Sequence, residues 1–422
     1  MLSRENNELL CRVGPGTPGN ELFRSLWLPA VLSSQIGEAG SPPVRLKLLG
    51  EELLAFRDGT GAVGIVQAQC AHRNAPLFFG KVEERGIRCA YHGWLYDTQG
   101  KCQEIPSDAT HTLCQKMSIR AYTVKEKADI AWIYMGDGVP PELPKFPWID
   151  LPRSQRLATV WLQETNWVQG AEGEIDSSHV SILHKTIRSA NTTRTHRPYT
   201  YADPTPQLTT HDTPIGFMSV ARRKAEEQFY WRATQWMAPM FSFIPSAAWP
   251  VSGRAWVPAD DDNTYCWDFS YSPDGPLPDE FMDAVQKGVG FPPEYSLQAV
   301  RLNTGSFIDT WVPKRNRSND YLVDRQLQRE FEATGIFGVN DQDRALQEGM
   351  GRMVDRSKEM LVAADVAIVT ARRKLLDMLR SPARLAEFRE LIADGSAYAV
   401  HPVDAVAPMS DVKVFLSELA TV

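Results

Sequence analysis

Short apolar runs alternate with glycine-containing turns from near the start of the chain to about residue 136: "VRLKLLGEELLAFRD", "AVGIVQAQC", "GIRCAYHGWLYDTQGK" and "MSIRAYTVKEKADIAWIYMGD". Successive side chains of a strand point to opposite faces, so the pattern predicts a small all-β unit of hairpins, with Asp97-Thr98-Gln99-Gly100 as one turn. Proline then crowds "DGVPPELPKFPWIDLP", at Pro140, Pro141, Pro144, Pro147 and Pro152. A ring that fixes φ and removes the N–H disfavours helix and strand interiors, so a domain boundary is expected here. Beyond it, 162–186 reads as one helix and 217–272 as long strands. In "TYCWDFSY", Tyr265, Trp267, Phe269 and Tyr271 alternate with Cys266, Asp268 and Ser270, a period of two. Tyr230, Arg232, Thr234 and Trp236 likewise share one strand face. From 343 to 380 the period becomes helical, with Leu361, Ala364, Ile368, Ala371, Leu375 and Leu379 three or four apart, a core stripe stopped by Ser381-Pro382. The expected fold class is α+β: a helical segment at 1–25, a strand unit at 26–138, a Pro-rich linker at 139–155, and an antiparallel sheet with helices at 156–422.

Composition narrows the partners. A net charge of −7 over 422 residues argues against nucleic acid and anionic membranes, which favour basic patches. No apolar run is long enough to span a bilayer, and the opening "MLSRENNELLCRV" has charges where a signal peptide needs apolar residues. A soluble, cytoplasmic protein is the expectation. Its six cysteines make no disulfide framework, and clustered ones in a reducing compartment read as metal ligands.

Such a cluster stands in "CAHRNAPLFFGKVEERGIRCAYHGW", where Cys70 and His72 are followed by Cys89 and His92. Structural zinc sites of two Cys and two His usually pair like with like, as C-x-x-C and H-x3-5-H. Here each short loop carries one of each, which suits a two-iron cluster with both cysteines on one iron and both histidines on the other. These residues resemble the Rieske motif. Cys11, Cys102, Cys114 and Cys266 lack ligand-like spacing and read as small buried hydrophobes.

A second constellation lies in "NWVQGAEGEIDSSHVSILH", with Asp176, His179 and His184 behind Asn166, Gln169, Glu172 and Glu174. Five residues are about 140° round a regular helix, so the two imidazoles meet at one ion only if the helix is distorted, for instance by a π-bulge. Two His and one carboxylate with open positions make the usual site for an oxygen-activating Fe(II). The carboxylate has two candidates in "GVNDQDRALQEGM", Asp341 and Asp343.

Taken together, C-x-H…C-x-x-H followed by D-x-x-H-x4-H resembles the Rieske non-haem iron ring-hydroxylating oxygenases. The stretches "NELLCRVGPGTPGNELFRSLWLP" and "NDYLVDRQLQREFEATGIFGVNDQDRALQEGMGRMVDRS" resemble the phthalate dioxygenase branch. The resemblance implies a Rieske domain carrying a [2Fe-2S] cluster, then a helix-grip catalytic domain carrying one mononuclear Fe(II). It points to Asp343 as third ligand, five residues before Glu348, whereas Asp341 would pair with Leu346. It implies that Asp176 bridges an iron-bound His to a Rieske His of a neighbouring subunit, in a homotrimer or a stacked hexamer. It also implies O2 as co-substrate and a separate NADH-dependent flavin and iron–sulfur reductase, in keeping with the lack of a dinucleotide fingerprint in this chain.

The branch acts mostly on aromatic carboxylates by cis-dihydroxylation; monooxygenation and O-demethylation use the same iron. An aromatic acid needs a cation in an apolar pocket, and Arg232 is the candidate, its competing reading being a sheet-edge or subunit-contact arginine. Arg222 and Arg223 sit beside "RRKAEEQ", which reads as a solvated turn. Two rivals stand outside oxygenase chemistry: a Rieske electron carrier, which leaves Asp176, His179, His184 and Asp343 unused, and a ligand-binding helix-grip protein.

Overall fold

Ser3 and Thr17 each accept a hydrogen bond from a backbone N–H three residues on, starting the helices Arg4–Cys11 and Pro18–Arg24. In the computed structural model these helices pack on the long helix Val366–Arg380 of the second half of the chain. The structure describes residues 2–110, 112–184, 197–245, 250–288, 292–330, 333–408 and 411–419.

The strand-rich part forms three small antiparallel sheets. Trp27–Leu32 pairs Ile130–Tyr134, which pairs Thr123–Lys127; Val44–Leu48, Glu51–Arg57 and Val63–Gln67 form the second. The third joins Lys81–Glu83, Gly86–Arg88, Leu95–Tyr96 and Cys102–Glu104, and its apolar core includes Cys70, Cys89, Trp94 and Tyr96. The turn at 97–100 forms as expected, Asp97 Oδ1 accepting from the N–H groups of Gln99 and Lys101, each at 2.9 Å.

The Pro-rich stretch is regular neither as helix nor as strand, yet it is pinned down. Phe146 and Trp148 are buried, and Trp148 stacks on Phe269 of the second domain at 4.6 Å between ring centroids. Burying side chains of this size contributes about 2–3 kcal/mol each.

The second domain is an eight-stranded antiparallel sheet in the order 156–163, 264–271, 251–258, 241–244, 228–237, 216–225, 207–213, with 403–407 also pairing 228–237. The strand Thr264–Tyr271 is buried along its whole length. Its aromatic face packs into the core; the other carries Cys266 and Asp268 to Arg254. Helix Trp167–Ile175 lies close on this sheet because residue 170 is glycine: a Cβ there would stand 2.0 Å from the Trp256 ring. The observed architecture is α+β, strands first and then a sheet with helices.

Three expectations of detail are corrected. Residues 162–186 are not one helix: a strand runs to Gln163, Asn166 caps the helix Trp167–Ile175, the chain turns at Asp176, and a short helix Val180–Leu183 follows. Residues 185 and 186 lie outside the described residues. The stretch 343–380 is two helices, Val339–Gly349 and Val366–Arg380, parted by Gly351 at φ +100°; Leu361 and Ala364 stand outside both, and only the later part of the stripe is core. The run "RRKAEEQ" is mostly strand, with its turn at Glu226-Glu227, and Arg223 is fully buried, its guanidinium donating to the Ser177 carbonyl at 2.7 Å.

Candidate metal centres and active site

The two Cys/His loops are built alike. The Cys70 N–H donates to the Ala75 carbonyl at 2.9 Å, and the Asn74 N–H to the Cys70 carbonyl at 3.0 Å. In the other loop the Cys89 N–H donates to Trp94 at 2.8 Å, and the Gly93 N–H to Cys89 at 3.0 Å. Each turn needs a left-handed residue, Asn74 at φ +55° and Gly93 at φ +75°. Both sulfurs are buried, while His72 and His92 are exposed with rings 4.4 Å apart. His72 also stacks on Trp94 at 4.8 Å. Thiolates within and imidazoles outward fit a two-iron cluster whose histidine-bound iron faces solvent. Tyr96 Oη lies 3.3 Å from Cys70 Sγ, where a hydroxyl donor stabilises an electron-rich sulfur.

The second constellation closes without a π-bulge. Asp176 ends one helix and His179 caps the next, so the break turns His179 toward His184 at the far end of Val180–Leu183. Their ring centroids are 5.2 Å apart. Asp343, on helix Val339–Gly349, places Oδ1 3.2 Å from His184 Nε2 and 3.6 Å from His179 Nε2. One donor atom from each of the three lies within 4.8 Å of the others. Burial opposes charge on Asp343, but the two imidazoles hold its carboxyl below the usual range. This donor set fits a divalent iron and leaves coordination positions toward the cavity.

Asp341 points elsewhere. Its Oδ1 takes Arg344 Nη2 at 2.5 Å, and it is essentially inaccessible. Helical period explains the sorting: Asn340, Asp343 and Gln347 line the cavity, while Asp341, Arg344 and Glu348 share another face.

Two side chains set the imidazoles. Asp176 Oδ2 stands 3.3 Å from His179 Nδ1. Gln342 Oε1 stands 2.8 Å from His184 Nδ1, and Gln342 Nε2 donates to the Ile336 carbonyl at 2.9 Å. That second bond orients the amide, so its oxygen faces His184, Nδ1 carries the proton and Nε2 keeps its lone pair for a metal. The sequence reading did not single out Gln342. Gln342→Leu should weaken iron affinity by about 10–100-fold while the cluster stays loaded, measured by competition with a chelator.

The cavity encloses about 1210 Å³, mouth included, and is walled by Trp161, Trp256, Phe281 and Tyr230 among others. Among the described residues two arginines reach it. Arg254 is neutralised by Asp268 at 3.0 Å and held by Asn340 at 2.7 Å. Arg232, on the inner strand Gln228–Met237 rather than at a sheet edge, has no hydrogen bond or ion pair among the described residues. Glu174 also faces the cavity; burial, then the charges of Asp343 and Asp268, push it up to about 7 against the pull of Arg254.

Of the carboxylates and amides ahead of the histidines, Asn166 is a helix cap, Gln169 bonds the Gln347 and Gly351 carbonyls, and Glu172 pairs Arg356 and Arg372. All three are structural. Among the other cysteines, Cys11, Cys114 and Cys266 are buried and Cys102 is partly so.

Comparison with known proteins places this architecture. The Rieske [2Fe-2S] domain family matches residues 26–123, and the family described as LigXa C-terminal domain like matches 133–396. The chain is 38% identical over 390 residues to the 3-chlorobenzoate-3,4-dioxygenase oxygenase subunit of Comamonas testosteroni, covering 90% of this chain and 89% of the relative. It is 34% identical to the phthalate 4,5-dioxygenase oxygenase subunit of Pseudomonas putida, over 90% of this chain and 86% of the relative. The fold superposes on the oxygenase in an oxygenase–ferredoxin complex of carbazole 1,9a-dioxygenase with a TM-score of 0.54, 19% identity, and coverage of 84% and 90%. No helix among the described residues is long and apolar enough to cross a membrane. A cluster-carrying strand unit, a sheet domain with an oxygen-activating donor set and these relatives assign the chain to the Rieske non-haem iron oxygenases, as an oxygenase subunit and an oxidoreductase.

Proposed function

We propose that this subunit oxygenates an aromatic carboxylate, with Cys70, His72, Cys89 and His92 holding the [2Fe-2S] cluster and His179, His184 and Asp343 holding the mononuclear iron. The observation that carries the reading is a two-His, one-carboxylate set in a cavity where Arg232 has no hydrogen bond or ion pair among the described residues. Loaded with iron, the site supplies dioxygen activation.

The chain's own groups do the rest. Arg232 takes the substrate carboxylate in a bidentate pair and so aims the ring. Trp161, Trp256 and Phe281 exclude water around it. Asp176 Oδ2 holds the His179 Nδ1–H and Oδ1 accepts from the Ser178 N–H; the side chain, still 23% exposed, keeps a second lone pair on each oxygen to accept from a Rieske His of a neighbouring copy. Ile182, 60% exposed in the helix that follows His179, and Tyr91, 58% exposed beside His92, give the two faces apolar surface for that contact. A trimer or stacked hexamer is the assembly in which each 26–138 unit would serve the 156–422 unit of the next chain. Electrons come from a cytoplasmic NADH-dependent flavin and iron–sulfur reductase.

The test couples the purified protein to a phthalate-type reductase and screens aromatic acids for substrate-dependent O2 uptake, with product masses counting the oxygen atoms gained. Two atoms gained on a benzoate- or phthalate-like acid is the expected result. Formaldehyde and a phenol from a methoxylated acid would move the reading to O-demethylation, and no coupled uptake with any acid would overturn it. Arg232→Met should raise KM for the acid by about 10–100-fold and leave a neutral amide analogue nearly unaffected, since a charge-assisted bond contributes about 1.5–3 kcal/mol. Equal losses for acid and amide would remove Arg232 from that role.

A further inference from the structure

Cys102 and Cys114 are twelve residues apart, yet their Sγ atoms meet at 2.9 Å. Cys102 opens the strand Cys102–Glu104, and Cys114 opens the short helical turn Cys114–Lys116. The backbone already joins the two segments: the Cys102 N–H donates to the Met117 carbonyl at 3.1 Å, and Lys101 bridges Ser118. The turn that presents Cys114 is also anchored, with Asp108 Oδ2 accepting from the Leu113 N–H at 2.8 Å. Cys11 and Cys266, by contrast, sit singly beside Arg356 and Arg254.

We propose that Cys102 and Cys114 form a redox-active dithiol that closes to a disulfide when the enzyme meets hydrogen peroxide. Cys114 Sγ loses its proton and attacks one peroxide oxygen, the O–O bond breaks, and water leaves a sulfenic acid. Cys102 Sγ then attacks that sulfur, its proton leaving with the departing hydroxyl as a second water. Two thiols are oxidised by two electrons and one peroxide becomes two waters. Burial pushes the Cys102 thiol up to about 12, so the pair is held as thiols until oxidant arrives.

The location gives the pair a use. Cys102 is the strand partner of Tyr96, whose hydroxyl contacts Cys70 Sγ, and Cys114 belongs to the same apolar core as Cys70 and Cys89. The dithiol therefore lies one tyrosine from a cluster-ligand sulfur in an enzyme that handles oxygen. It consumes oxidant there by a step that a reductant reverses, whereas oxidation of a ligand sulfur destroys the cluster.

Trypsin makes the test direct, because cleavage after Lys101 and Lys116 puts both cysteines on one peptide, 102–116. Holo-protein treated with peroxide and quenched with iodoacetamide should yield that peptide about 2 Da lighter and unalkylated, reverting to two alkylated cysteines after dithiothreitol. Cys102→Ser and Cys114→Ser should each abolish the light peptide, and the double variant should lose its cluster absorbance faster under peroxide. Two alkylated cysteines at peroxide doses that bleach the cluster, irreversible sulfinic acid at either position, or unchanged bleaching in the double variant would overturn the proposal. The readout needs no substrate, so it stands apart from the assignment of Arg232.

Discussion

Asp343→Ala should purify with its cluster spectrum intact but with iron falling from about three atoms per chain to about two, and with turnover lowered more than about 100-fold. The reason is charge as well as geometry. His179 and His184 are neutral donors, so Asp343 brings the anionic charge among the three atoms that lie within 4.8 Å of one another. Without it, two imidazoles face a cavity, and a divalent cation is held no better than by a loose histidine pair. Asp341→Asn is the matched control, two residues away on the same helix. It removes the charge paired with Arg344 at 2.5 Å, deep in the protein, and leaves that cation only the more distant Glu348 at 4.0 Å. Breaking a buried pair costs about 3–5 kcal/mol. That variant should therefore melt earlier while keeping its third iron, read by calorimetry and metal analysis side by side. If Asp343→Ala kept its third iron while Asp341→Asn lost it, the roles would have to be exchanged.

The contrast between the two aspartates marks how far the sequence could be read. Spacing of Cys70, His72, Cys89 and His92 announced a cluster, because ligand chemistry tolerates few arrangements and the loops are local. Strand alternation across 217–272 was equally legible, since each strand's face follows from a period of two. Asp341 and Asp343 lie closer together than one helical turn, so neither spacing nor chemistry separated them without the family resemblance. Their neighbours could have done so: Arg344 and Glu348 continue the Asp341 face as charges, whereas Asn340 and Gln347 continue the Asp343 face as amides. The five-residue gap between His179 and His184 said that a straight helix fails, but many distortions satisfy it. The structure uses a break at Asp176, and that choice rests on tertiary contacts. Arg223 misled for a related reason, since a charged run reads as solvated until the Ser177 carbonyl that accepts from it is known. Gln342 was invisible because a glutamine near a ligand carries no signature until its partners are seen. That Arg232 has no side-chain partner among the described residues belongs to the same class of fact.

Asp176→Asn should leave both metal centres loaded, with cluster absorbance and iron content unchanged, and should lower electron transfer to the mononuclear site by about 100-fold, at the upper end of the order seen when an outer partner of a metal-bound His is removed. The substitution keeps size and shape, so the chain turn it caps should survive. What changes is the bond to His179. The carboxylate is held charged: burial opposes this, but the His179 contact and the Ser178 N–H at 2.7 Å keep it below its usual range. An amide has one acceptor oxygen with two lone pairs and a donor NH2, so it cannot accept from the Ser178 N–H and two imidazole N–H groups at once. With the iron bound through Nε2, His179 Nδ1 carries the proton, so the amide turns its oxygen to that ring and its NH2 to the incoming Rieske His. The far end of the bridge is then lost. Rapid mixing of reduced protein with oxygen and substrate separates this from a defect in binding, because cluster reoxidation should slow while substrate affinity holds. Asp176→Glu, which keeps the charge and lengthens the arm, should recover part of the rate. Should Asp176→Asn reoxidise its cluster as fast as the parent, Asp176 would be a helix terminator and no part of the electron path.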